Sequence, residues 1–290
     1  MLPDEKYRND KKQSYLSSDR KIEYVKIGKS ILSKDIDGYK IGSGKRLILV
    51  VGAHHALEYI TSQALYDFID FITDKSTRPR TLYGISLDFL LNRFAFFIVP
   101  MLNVDGVEMH FHGASDSPLR ERVIRLNGGG DFSTWQSNAR GVDLNHNYDF
   151  GFLQYKQIEY ENGILAGKTR YSGEYVESEP ECRALANLTR IVAPSAIISL
   201  HSQGKEIFYS PKNEYTERIA KRLAKELAYT VKIPEGLASY GGFCDYTGGV
   251  LGIPSFTLEV GEGKNPLPER QLKSVSETVR RALITLPSYL

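Results

Sequence analysis

The sequence predicts an α/β protein, a sandwich of helices around a mostly parallel sheet. Two observations carry this. The runs RLILVV (46–51), FAFFIVP (94–100), AIISL (196–200) and PSFTLEV (254–260) are of strand length and continuously apolar, as strands buried on both faces are. Segments with helical spacing of their apolar residues alternate with them. No internal repeat, low-complexity tract or Pro/Gly-rich linker divides the 290 residues. One domain over residues 21–290 is expected behind a polar, loosely held lead-in over residues 1–20.

The elements follow in order. KIEYVKIG (21–28) and the stretch SILSKDIDGYKIG read as two short strands joined by a turn. After the first buried strand, EYITSQALYDFIDFIT (58–73) places Ile60, Ala64, Leu65, Phe68 and Phe71 on one helical face. The polar, Gly-rich stretch from His112 to Arg140 is too long for a connector and reads as a functional loop. SEPECRALANLTRIV (178–192) reads as a helix capped by Ser178, with Pro180 in its first turn. YTERIAKRLAKELAYT (215–230) is an amphipathic helix with a solvated basic face, and LPERQLKSVSETVRRALITLPSYL closes the chain as a helix.

Composition narrows the function. Lys+Arg is 37 against Asp+Glu 35, a formal charge of +2, which argues against binding nucleic acid through a global basic field. No apolar run approaches the roughly 20 residues of a membrane span. The charged start has no apolar core of a secretory signal, so a cytoplasmic location is expected. Two cysteines, Cys182 and Cys244, make neither a disulfide framework nor a Cys-rich zinc shell. A metal would have to use His and carboxylates.

In open α/β sheets, sites form beyond the carboxyl ends of the strands. Beyond RLILVV stands GAHHALE, beyond AIISL stands HSQGKE, and Glu259 ends the fourth run. His55 and Glu58, spaced i, i+3, share one side of a first helical turn. His54 stands beside His55 and would pair with Glu58 at i, i+4. With His201 the set is two imidazoles and a carboxylate, which leaves a catalytic zinc ion an open position. Glu259 would be the general base, since an unpaired carboxylate in an apolar strand must face a cation, a donor or a cleft.

These segments also carry a resemblance. GAHHALEYIT, FIVPMLNVDGVEM, RGVDLNHNYDF, SEPECRAL, IISLHSQGKEIFY and GGFCDY followed by SFTLEVGEG resemble, in order, the motifs of the zinc carboxypeptidase family. The resemblance implies a three-layer α/β/α sandwich around a twisted mixed sheet of about eight strands. It implies one zinc per chain on His55, Glu58 and His201, Glu259 as general base and Asn145 as a substrate-binding residue.

The sequence departs from the family at informative places. The family's carboxylate-gripping Arg after Asn145 is His146 here, and imidazole lacks the bidentate fork of Arg. Gln136 stands where many relatives have the Arg that polarises the scissile carbonyl, with Arg140 or another nearby Arg as a substitute. Leu237 occupies the place of the animal enzymes' substrate-facing Tyr, while Tyr240 directly precedes Gly241. Cys244, near the expected specificity pocket, reads as small apolar lining. SYGGFCDY, NARGVDLN and GKTRYSGEYVESEPE resemble the bacterial branch that cleaves γ-D-glutamyl–diaminopimelate bonds of cell-wall peptides. A murein-derived peptide read by Asn145, His146 and Tyr240 is therefore the expected substrate. One alternative is an N-acyl amino acid deacylase of the same superfamily, against which His146 counts. The other is a non-catalytic zinc-binding relative, against which the intact ligands and Glu259 count.

Overall fold

The computed structural model describes residues 2–115, 117–238 and 240–290. The strands are β1 (Ile22–Lys29), β2 (Asp35–Ile41), β3 (Arg46–Val51), β4 (Thr81–Leu82), β5 (Ile85–Ser86), β6 (Phe94–Val99), β7 (Ala196–His201), β8 (Glu206–Ser210), β9 (Thr230–Val231) and β10 (Ser255–Glu259). The helices are α1 (Glu5–Leu16), α2 (Ile60–Thr73), α3 (Leu87–Arg93), α4 (Val104–His112), α5 (Arg120–Asn127), α6 (Phe152–Glu161), α7 (Pro180–Val192), α8 (Glu214–Leu227), α9 (Phe243–Gly249) and α10 (Leu272–Thr285). Eight strands form one sheet in the order β1-β2-β6-β3-β7-β10-β8-β9, with β4 and β5 as a separate hairpin. Its centre, β6-β3-β7-β10, is parallel, β1 and β2 pair antiparallel with their neighbours, and β8 runs antiparallel to β10 and parallel to β9. The predicted α/β class and eight-stranded mixed sheet are thus present.

The central strands are apolar throughout because both faces are covered. Ile48 and Val50 of β3 pack with α2 and α10, whereas Leu49 and Val51 pack with α4 and α7. Side chains alternate faces along a strand, so a covered strand needs apolar residues at every position. β7 and β10 break this rule on one face only. Ile198, Leu200, Phe256 and Leu258 enter the α2/α8/α10 layer. Ser199, His201, Thr257 and Glu259 fall on the opposite face, and the parallel register sets His201 beside Glu259.

The N-terminal lead-in is a correction. Residues 5–16 form α1, and its Arg8 and Tyr15 are buried. The Asp4 carboxylate caps it, accepting from the Tyr7 N–H at 3.0 Å. Arg8 donates to the Asp35 carbonyl at 3.0 Å, and the Tyr15 ring meets Tyr39 edge-on at 5.2 Å. A helix this polar shows no apolar stripe in the sequence; docking through a few large side chains supplies its stability.

Two local readings also change. Ser178 does not cap α7: Glu179 occupies the cap position, and the Ser178 hydroxyl donates to the Glu179 carboxylate instead. The stretch 112–140 contains α5 and is not one continuous loop.

Because Tyr15 is 3% exposed, Tyr15→Ala should lower stability by about 3 kcal/mol. Equilibrium urea unfolding measures this. A loss below about 0.5 kcal/mol would mean that α1 contributes no packing to the core.

Candidate metal centre and cleft

The chain leaves β3 through a tight passage. A side chain at Gly52 would lie 2.9 Å from the Pro100 carbonyl oxygen, and Ala53 adopts a left-handed φ of +49°. The Ala53 N–H donates to the Thr61 hydroxyl at 2.9 Å, which donates in turn to the Glu58 carbonyl at 2.7 Å. This closes the 3₁₀ turn Ala56–Glu58 and presents His55 and Glu58 together. Asn103 braces the same passage, donating its amide to the carbonyls of His54, Gln136 and Ser137 at 3.0–3.1 Å.

His55, Glu58 and His201 bring one nitrogen or oxygen each to within 4.8 Å of one another. Glu58 Oε2 lies 3.2 Å from His55 Nδ1 and 3.0 Å from His201 Nδ1. Both imidazoles thus aim Nδ1 at the same carboxylate oxygen, and the buried His55 Nδ1 finds no well-aligned hydrogen bond among the described residues. Imidazole nitrogens converging on a buried carboxylate are what a zinc site presents before its cation is considered. The donor set fits zinc.

A second layer fixes these groups. His55 Nε2 lies 3.0 Å from Asp143 Oδ1; donation there leaves the Nδ1 lone pair for the cation. Asn265 donates to Glu58 Oε1 at 3.1 Å and accepts from the Ser202 hydroxyl at 2.9 Å. His54 is fully buried, stacks on His201 at 5.4 Å and lies 3.2 Å from the Tyr148 hydroxyl. His54 stands outside the set of three whose ligand atoms converge.

The electrostatics ask for positive charge. Burial disfavours an imidazolium at His55, yet Asp143 and Glu58 outweigh it and raise the pKa well above the ordinary value. Burial would raise Asp143, but His55 holds it well below the carboxylate range. Burial and the Glu58 charge push Glu259 well above that range. A divalent cation in the triad acts oppositely on Glu259, favouring the carboxylate.

A cleft of about 570 Å³ opens over the centre, lined by His55, His201, Glu259, Asn145, His146 and Arg170 among others. Asn145 accepts from the Phe243 N–H at 3.1 Å through Oδ1. His146 is buried, stacks on Tyr155 at 4.0 Å and bonds the Tyr240 carbonyl through Nδ1 at 2.9 Å. Burial lowers its pKa, so the ring is neutral at pH 7. Tyr240 itself is absent from the lining: its ring lies over Gly151, and its carbonyl alone reaches His146. Leu237 and Cys244 line the wall, and burial pushes the Cys244 thiol up to about 12, which leaves it unreactive.

Several residues of this site were not singled out in the sequence. Asp143 lies inside the quoted GVDLN segment, but its role depends on reaching back to His55. Asn265 belongs to no motif. Arg170 and Asp245 line the cleft, and burial raises Asp245 to about 6. Arg140 does not enter the cleft; it is paired to Glu179 at 3.1 Å.

His55→Ala and His201→Ala should each lose bound zinc, measured by metal analysis of the purified proteins. Full occupancy in both would overturn the ligand set. Asp143→Asn should keep the fold and weaken zinc about 10–100-fold, read by competition with a chelator.

The zinc carboxypeptidase family model matches residues 15–282. Gamma-D-glutamyl-L-diamino acid endopeptidase 1 of Lysinibacillus sphaericus is 29% identical over 254 residues, covering 86% of this chain and 63% of its own length. Human carboxypeptidase B is 27% identical over 281 residues, covering 87% of this chain and 60% of its own. The chain therefore spans somewhat less than two thirds of each of these relatives. The structure of bovine thrombin-activatable fibrinolysis inhibitor in complex with tick carboxypeptidase inhibitor has the same fold, with a TM-score of 0.70 at 21% identity, covering 98% of this chain and 94% of that one. The family match takes in the sheet, the three metal-site residues and Glu259 alike, and the chain belongs to the zinc carboxypeptidase family.

Proposed function

We propose that this chain is a zinc-dependent metallopeptidase that cleaves γ-D-glutamyl–diaminopimelate bonds in murein-derived peptides. The observation that carries the specificity is His146. An ordinary carboxypeptidase grips the substrate's terminal carboxylate with Arg at that position. Here the position holds a buried, neutral imidazole whose Nδ1 is engaged by the Tyr240 carbonyl. It offers no charge to a carboxylate. The Lysinibacillus relative, named for action on γ-D-glutamyl-L-diamino acid bonds, supports the same reading.

His55, Glu58 and His201 would hold the zinc. When bound, it supplies Lewis acidity toward a carbonyl oxygen and acidifies water. Glu259 stands one strand from His201, in register with it. Its carboxylate takes the proton of the attacking water and returns it to the leaving amine, so one group serves as base and then as acid. Asp143 and Asn265 keep the imidazole and the carboxylate from turning away. Asn145 lines the substrate cleft with its Oδ1 already committed to Phe243, which leaves its amide N–H groups for a substrate oxygen.

Glu259→Gln should retain zinc and peptide binding while losing about 10²–10⁴ in kcat. A variant within about threefold of wild type would place the base elsewhere.

Cleavage of L-Ala-γ-D-Glu-meso-diaminopimelate should exceed that of hippuryl-Phe by about tenfold or more in kcat/KM, since a missing charge-assisted contact is worth about 1.5–3 kcal/mol. Product analysis with and without a chelator decides it. Preference for hippuryl-Phe would remove the murein assignment and leave the zinc-peptidase reading standing.

A further inference from the structure

A γ-D-glutamyl–diaminopimelate peptide carries carboxylates on both sides of the bond to be cut. The cleft built so far offers them no organic cation. His146 is neutral, Gln136 is uncharged, and Arg140 is bound to Glu179 outside the cleft. Among the described residues that line the cleft, Arg170 is the one Lys or Arg.

Three features set Arg170 apart from a solvated surface arginine. Its backbone takes a left-handed φ of +70°, uncommon for a residue with a side chain. That conformation is held from both sides. The Arg170 N–H donates to Asp143 Oδ2 at 3.0 Å, and the Arg170 carbonyl accepts from the Tyr155 hydroxyl at 3.0 Å. Asp143 is the carboxylate that holds His55, and Tyr155 is the ring that stacks on His146. The main chain of Arg170 is therefore tied to the metal site and to the residue replacing the family's arginine.

Neighbouring residues secure the same segment. Gln136 and Ser137 donate to the Lys168 carbonyl at 2.9 and 3.2 Å, and the Asp143 N–H donates to the Tyr171 carbonyl at 2.7 Å. The Arg170 side chain, by contrast, is exposed and makes no hydrogen bond or ion pair with the described residues. A fixed backbone with an unpartnered guanidinium at a cleft wall suits an arm that closes on a ligand.

We infer that Arg170 is the carboxylate-reading residue of this cleft, taking over from a different segment the charge that His146 lacks. The carboxylate is that of the D-Glu acyl side or that of the diaminopimelate side. Both present the same planar acceptor to the guanidinium fork. The inference rests on the proposed peptidase reading for the identity of the peptide, but not for the chemistry of the contact.

The test compares wild type with Arg170→Gln on three peptides: L-Ala-γ-D-Glu-meso-diaminopimelate, its D-Glu α-amide, and its diaminopimelate amide. Wild type should lose about tenfold or more in kcat/KM on one of the amides. Arg170→Gln should show that loss on the acid and no further loss on that same amide, mostly in KM. The amide that cancels the mutation identifies the carboxylate. Arg170→Lys should recover part of the loss, and Arg140→Gln should leave the acid-to-amide ratio unchanged.

The same cycle is run as equilibrium binding of the three peptides to Glu259→Gln protein with and without Arg170→Gln. Failure of wild type to cut any of the peptides would sink the murein assignment, while this binding cycle still decides Arg170. Equal losses on acid and both amides, or none on any, would overturn the inference. Zinc content and melting temperature should match wild type throughout.

Discussion

The Asp143 carboxylate is the interaction on which the rest of the site depends. Its Oδ1 takes the Nε2 of His55 and the N–H of Asn145, and its Oδ2 takes the N–H of Arg170. One side chain thus orients a metal-site imidazole, the 3₁₀ turn of the substrate cleft and the segment across from it. Buried carboxylates are costly unless fully bonded, and this one is. The neighbouring charges keep it ionised in an enclosed place. Removing the charge loosens its hold on all three, which main-chain bonds through Gln136 and Asp143 otherwise keep close.

The sheet sets the remaining coordinates. His201 and Glu259 end adjacent parallel strands and are paired in register. Side chains repeat every second residue, so a one-residue slip of β10 would bury Glu259 among the apolar side chains of the α2/α8/α10 layer. The apolar residues at 256 and 258 therefore do more than fill the core. They fix which face the carboxylate takes, and the antiparallel pairing of β8 on the other side of β10 locks the same register.

What the sequence revealed follows from how locally each feature is encoded. The parallel centre was legible because burial on both faces leaves continuous apolar runs. His55, Glu58 and His201 were legible because they stand directly beyond such runs. Asp143 and Asn265 act across 88 and 207 positions of chain, and no spacing rule reports a contact made at such range. α1 was missed because its docking uses Arg8 and Tyr15 rather than an apolar stripe. Tyr240 illustrates the converse: its place before two glycines draws attention, yet its ring lies over Gly151 and its main chain does the work.

Charge distribution connects these observations to specificity. Glu58, Asp143 and Glu259 gather three carboxyl groups about two imidazoles, and burial and the Glu58 charge push Glu259 above the ordinary carboxylate range. A divalent cation balances that set and frees the Glu259 carboxylate for proton transfer. With metal bound, the deep part of the cleft would be satisfied, and the carboxylates of the proposed murein peptide would need partners further out. His146 cannot be one, because a ring stacked on Tyr155 in a buried pocket resists taking a second proton. A cation on a backbone anchored to Asp143 but with a free side chain satisfies both demands. It leaves the deep site's charge balance undisturbed, and it adapts to a carboxylate that does not sit where a plain C-terminal residue would place one.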